Sequence, residues 1–82
     1  MELRVLFFAS ARQAAGCAET TVLCNAEGIC EAVLWERLLA EFPSLASLRD
    51  SVRIAKNYEY LPPGENLYPG DEAALIPPVS GG

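Results

Sequence analysis

The sequence predicts an α+β fold, one layer of mixed β-sheet crossed by a single substantial helix, and three observations predict it. Apolar residues alternate with a period of two at both ends of the 82-residue chain. The period changes to about 3.6 in one place only, between residues 29 and 42. Proline or glycine punctuates the joints between these segments. A chain of this length suits one small domain, and its 51% hydrophobic and 21% charged residues are those of a globular protein.

Residues 2–9 alternate Leu3, Val5 and Phe7 against Glu2, Arg4, Leu6 and Phe8, and their β-branched and aromatic content makes a mostly buried first strand. Ser10 is placed to cap a helical turn through Ala15, with Gly16 near its end, before the chain reverses. Residues 19–25 alternate Thr20, Val22 and Cys24 against Thr21 and Leu23, a second strand antiparallel to the first. Over residues 29–42, Leu34, Trp35, Leu38 and Phe42 fall on one stripe and Glu36, Arg37 and Ala40 off it. This is the main helix, and Trp35 on its apolar stripe reads as core. Pro43 stops it, because the proline ring clashes with the preceding turn and pushes Phe42 away from the α region. Residues 44–50 are expected to add one helical turn.

Val52 and Ile54 mark a third strand over residues 51–56, and residues 57–60 either continue it or form a short fourth one. Pro62-Pro63-Gly64 breaks the chain. Pro69-Gly70-Asp71 is a turn, with proline pre-set for the first central position and glycine free to take a positive φ at the second. Residues 72–76 form the last strand. The order β, β, α, β, short β, β is that of the β-grasp arrangement, whose first and last strands pair in parallel at the sheet centre; strand order is taken here by analogy, since periodicity does not set it. The expected organisation is a β-grasp domain over residues 1–78 and a flexible C-terminal tail over residues 79–82.

The formal net charge is −5, and the six Lys and Arg residues are scattered, so no basic patch for nucleic acid is present. A partner with a basic surface fits better, although acidity also serves solubility. The apolar run at residues 5–9 is far shorter than the roughly 20 residues of a membrane span, and Met1-Glu2 opens without a basic leader, which places the chain in the cytosol. Cys17, Cys24 and Cys30 match no zinc or C-x-x-C spacing and fit reduced cytosolic thiols. Cys24 and Cys30 read as packing, and Cys17, in a loop beside Gly16, is the one thiol to test as a sulfur acceptor.

No histidine occurs, so the commonest general base and the usual nucleophilic triads are missing. No glycine-rich phosphate loop follows the first strand. Asp71 and Glu72 are adjacent and point to opposite faces of a strand, so they make no catalytic pair. What remains is the end of the chain, Val79-Ser80-Gly81-Gly82. Two glycines without Cβ atoms are thin enough to enter a narrow pocket, and the prolines before them launch the tail in an extended direction. The α-carboxylate of Gly82 is ionised and hence a poor electrophile. Activated as a mixed anhydride with AMP it becomes an acyl donor, and displacement of AMP by a sulfur donor leaves a nucleophilic thiocarboxylate.

The string from Pro69-Gly70-Asp71-Glu72 through Pro77-Pro78-Val79-Ser80-Gly81-Gly82 resembles the end of the MoaD-like sulfur carriers, the small subunits of molybdopterin synthase. Val5-Leu6-Phe7-Phe8-Ala9-Ser10-Ala11-Arg12 and the segment with Trp35 and Phe42-Pro43 are similar to the same family, so the resemblance covers nearly the whole chain. It implies the ubiquitin-like β-grasp fold and a Gly82 that passes through a glycyl adenylate to a 1-thioglycine. ATP is then used transiently by a MoeB-like, E1-like activating enzyme, with no tightly bound cofactor and no metal. It further implies insertion of Val79, Ser80 and Gly81 into a MoaE-like large subunit, in a heterotetramer of two small and two large chains. Sulfur then passes to cyclic pyranopterin monophosphate, forming the molybdopterin dithiolene.

By the same resemblance Phe7, Leu75, Pro77 and Arg12 fall at partner-contact positions, while Lys56 stands where an apolar residue is usual ahead of Asn57. A carrier for thiazole synthesis or tRNA thiolation, or a ubiquitin-like modifier or adaptor, shares the diglycine and stays open as an alternative.

Overall fold

The computed structural model describes residues 1–78. Its strands are β1 (Glu2–Phe7), β2 (Glu19–Leu23), β3 (Arg53–Lys56), β4 (Glu59–Tyr60) and β5 (Glu72–Ile76); its helices are α1 (Ala9–Ala15) and α2 (Glu31–Glu41), followed by a 3-10 segment at Pro43–Leu48. The strands form one mixed sheet in the order β2-β1-β5-β3-β4. β1 pairs antiparallel with β2 and parallel with β5, and β5 pairs antiparallel with β3. The first and last strands therefore lie side by side at the centre, as the β-grasp analogy requires.

One face of the sheet is covered. Leu3, Val5 and Phe7 of β1 and Ala73 and Leu75 of β5 are almost fully buried and join Leu34, Trp35 and Leu38 of α2 in one core. The helix stripe and the strand alternation seen in the sequence thus meet each other. Trp35 is core, as expected. Phe42, turned by Pro43, sets its ring edge-to-face on Phe7 with centroids 5.3 Å apart. The 3-10 segment buries Leu45 at the rim of this core.

Two local expectations change, and a third resolves to one of its two readings. Ser10 lies inside α1 and does not cap it; the chain enters the helix two residues earlier, through Ala9 at φ 49°, and Phe8 takes the cap position without a side-chain hydrogen bond. Cys30 is exposed at the start of α2, whereas Cys24 is buried as expected. Residues 57–60 form a hairpin: Asn57 and Tyr58, at φ 49° and 74°, are the two central residues between β3 and β4, as in a type I′ turn. Asn tolerates this left-handed region, but a residue with a large side chain there costs about 1–2 kcal/mol.

The long connection before β5 is anchored at two points. Ile29 and Leu67 exchange backbone hydrogen bonds of 2.8 Å, and a Cβ at Gly28 would run into the Leu67 carbonyl oxygen and the Tyr68 ring. The chain then turns at Tyr68-Pro69-Gly70-Asp71, closed by a 3.0 Å bond from the Asp71 N–H to the Tyr68 carbonyl, with Gly70 at φ 89°. Among the described residues no helix is long and apolar enough to cross a membrane.

Candidate functional site

The strand that leads to the diglycine is fixed most densely where it starts. The Asp71 carboxylate accepts hydrogen bonds from the Tyr68 N–H at 2.8 Å and the Asn57 amide at 3.1 Å. The Asn57 side-chain oxygen accepts the Glu72 N–H at 3.0 Å. Lys56 lies 3.6 Å from Asp71 and 3.3 Å from Glu65, and donates to the Asn66 carbonyl at 3.0 Å. Burial works to raise the Asp71 carboxyl, but the Tyr68 amide, Asn57 and Lys56 outweigh it and hold it below the ordinary carboxylate range. Burial likewise opposes the charge on Lys56, and its carboxylate neighbours Glu65 and Asp71 overcome that and raise it. The lysine that departs from the family resemblance is thus a staple between the β3–β4 hairpin and the start of β5. Asp71 and Glu72 diverge as expected: Glu72 reaches Arg4 at 3.4 Å on the other side of the sheet, where Arg4 also binds Glu19.

At its far end β5 delivers the chain beside the end of β1. Leu75 is level with Phe7, the last pair of the β1–β5 ladder, and beyond it β1 passes through Phe8 into α1 while β5 ends at Ile76. Pro77 is buried and Pro78 exposed. The face of the sheet opposite the helices carries Leu6, Ala74, Ala55 and Tyr60 in one row across four strands, with Phe8 48% exposed near the exit. Ile76 is half-buried on this face, opposite Arg53. Arg53 in turn lays its guanidinium 4.1 Å above the Tyr60 ring.

Of the four positions expected at a partner interface, Phe7, Leu75 and Pro77 lie inside the fold and only Arg12 is exposed. The correction follows from strand alternation: Phe7 and Leu75 face the helix, and their neighbours Phe8 and Ile76 face outward. The signal was in the sequence, since Phe8 already fell on the strand face shared with Glu2 and Arg4. Tyr60 carried no such signal, because its face depends on the hairpin register. Arg12 lines a shallow groove with Gln13, Gly16 and a half-buried Cys17. Gly82, Gly81, Ser80 and Val79 lie outside the described residues. Among the described residues no group of His, Cys, Asp or Glu side chains is arranged to hold a metal ion.

A β-grasp domain with an open sheet face, whose central strand hands the chain to a diglycine end, defines the class of ubiquitin-like carriers and modifiers. The sequence profile of the ThiS family matches residues 5–82, and the chain belongs to that family. It is 39% identical over 84 residues to the molybdopterin synthase sulfur carrier subunit of Chlamydomonas reinhardtii, covering 100% of both chains. The crystal structure of SAMP1 from Haloferax volcanii superposes with a TM-score of 0.84 at 28% identity, covering 100% of both chains. A complex of subunits 1 and 2 of the molybdopterin-converting factor from Helicobacter pylori contains a chain of the same fold, with a TM-score of 0.69, 24% identity and full coverage of both chains.

Proposed function

We infer that this chain is the sulfur carrier subunit of molybdopterin synthase in molybdenum cofactor biosynthesis. The observation that carries the reading is 39% identity over the full length to a molybdopterin synthase sulfur carrier subunit, in a chain whose central strand ends at the Pro77-Pro78-Val79-Ser80-Gly81-Gly82 string. The chemistry belongs to Gly82. Its carboxylate oxygen attacks the α-phosphorus of ATP on an activating enzyme and releases pyrophosphate. A sulfur donor then displaces AMP, and the resulting thiocarboxylate supplies sulfur to cyclic pyranopterin monophosphate. The domain supplies presentation: β5 is pinned at its start by Asp71, and Pro77 is buried just past its end.

The partner that encloses the tail is the large subunit, matching the two-subunit complex of the Helicobacter relative. Its contact is the apolar end of the open face, Phe8, Ile76 and Leu6, with Arg12 at the margin. These side chains are partly or fully exposed, and Leu6 pairs with Ala74 two residues before Ile76, the last residue of β5.

Incubation with the activating enzyme, ATP and a sulfur donor should raise the mass of the chain by one oxygen-to-sulfur exchange, located at Gly82 by fragmentation. Pterin sulfuration by a chain lacking Gly82 would falsify the reading. A second reading, attachment to lysines as a protein modifier, is favoured by the close superposition on SAMP1 of Haloferax volcanii, a small archaeal modifier protein. Isopeptide-linked Gly82 in lysine-containing peptides from cells is the finding that would support it.

A further inference from the structure

Tyr58 is 92% exposed, yet it sits at φ 74° in a two-residue turn where glycine fits without strain. The aromatic and cation–ring contacts among the described residues go to other rings, to Phe7 and Phe42, Trp35, Tyr60 and Tyr68. A bulky side chain kept in an unfavourable conformation, without packing in the monomer, is an outlier of the kind found at functional surfaces.

Its position indicates which surface. β3 runs antiparallel to β5, so the hairpin tip lies at the start of β5, the end opposite the tail's exit. The tip is two residues from Tyr60, which lies on the open face in register with Ala55. On that face Tyr60 holds the Arg53 guanidinium over its ring. Tyrosine and arginine are the residue types that dominate binding energy at interfaces.

The tail sets the occupant. Four residues follow Pro78, and at about 3.3–3.6 Å each they reach at most ~14 Å. Any protein that encloses Gly82 therefore rests against the exit end of this sheet. An interface of ordinary size, ~800 Å² per partner, is about 30 Å across. The five residues of β5 span only about 16 Å, so such a protein laid on the open face extends from the tail to the hairpin tip.

We propose that Tyr58 is a docking residue for the large subunit that encloses the C-terminal tail, gripping it at the far end of the open face from the tail's exit. This rests on the carrier reading above and adds a second anchor to it. The complementary surface holds a recess for the phenol ring and acceptor oxygens for its hydroxyl and for Arg53.

The test uses the full-length chain, its Tyr58→Gly variant and purified large subunit, with calorimetric titration and thermal unfolding of each chain. The expected result is an unfolding temperature of the variant equal to or above that of the wild type, because turn strain is relieved, together with a Kd at least about tenfold weaker. A merely structural Tyr58 gives a different pattern: unchanged affinity, or weaker binding only alongside a lower unfolding temperature, and either overturns the proposal. Failure of the wild-type chain to bind the large subunit overturns the carrier reading and this proposal together. A Tyr58→Gly chain that binds like wild type overturns the proposal alone.

Discussion

The two faces of β1 and β5 are built from the same kinds of residue and do opposite things. Phe7 is 2% exposed and Phe8 48%; Leu75 is fully buried and the adjacent Ile76 only half. Each pair is matched in hydrophobicity, and a single step along the strand decides whether the side chain holds the domain together or stands on the open face. The face against α2 is closed by large apolar contacts such as Phe7 on Phe42. The open face has small residues, Ala55 and Ala74, at its middle and larger ones, Leu6, Ile76 and Tyr60, around them. Such a surface is shallow and apolar with a charged margin at Arg4, Glu19 and Glu72, and it suits a protein partner better than a small ligand.

The contrast breaks most visibly under truncation. Phe7→Ala leaves a cavity beside Phe42 and should cost about 3–5 kcal/mol, and Leu75→Ala about 2–5 kcal/mol, measured by denaturant unfolding. For a domain this small either loss takes much of the total stability. Phe8→Ala should change stability by no more than about 0.5 kcal/mol while weakening capture by the large subunit. If Phe8→Ala unfolds the domain as Phe7→Ala does, the assignment of faces is wrong.

A smaller effect separates the start of β5 from its exit. Because the Asp71 carboxyl is held below its ordinary value in the fold, its contribution is present above the unfolded-state pKa and is lost as pH falls through the folded value. Lys56 is raised, so its contribution is full below its unfolded pKa and is lost only as pH rises through the raised value. Asp71→Asn should therefore flatten the acid limb of the stability–pH curve and leave the neutral-to-mildly alkaline range parallel to the wild type. An unchanged acid limb would remove Asp71 as the anchor. The smallest effect is expected at the exposed Arg4–Glu19 pair, where Arg4→Gln should leave the unfolding temperature within measurement scatter, since such pairs gain little in water. A clear drop there would mean that the open face is stabilising the fold as well as presenting it.

Much of this was legible in the chain. The alternation of residues 2–9, the stripe Leu34, Trp35, Leu38, Phe42, the stop at Pro43 and the turn at Pro69-Gly70 each have a local cause, and each appears in the structure near where it was expected. Ser10 was misread because the start of α1 depends on the φ of Ala9, a backbone state that its sequence does not demand. Cys30 was misread because its spacing before the helix says nothing of which side it faces. Phe7 and Leu75 were expected at a partner contact and proved buried because resemblance aligns short strings of similar residues, and Phe7-Phe8 and Leu75-Ile76 are each nearly interchangeable as letters.

What the sequence determined by itself is therefore the set of elements and the chemistry of the end: periodicities, breakers, the missing histidine and the diglycine are properties of the chain within a few residues of each other. What only the tertiary structure decided is which side of each strand is covered, how Lys56, Asn57 and Asp71 meet, and that Tyr58 stands strained and uncovered at the hairpin tip. Those depend on the pairing of β5 between β1 and β3, which joins residues far apart in sequence. A register of that kind is fixed by the packing of the whole sheet against one helix rather than by any local preference.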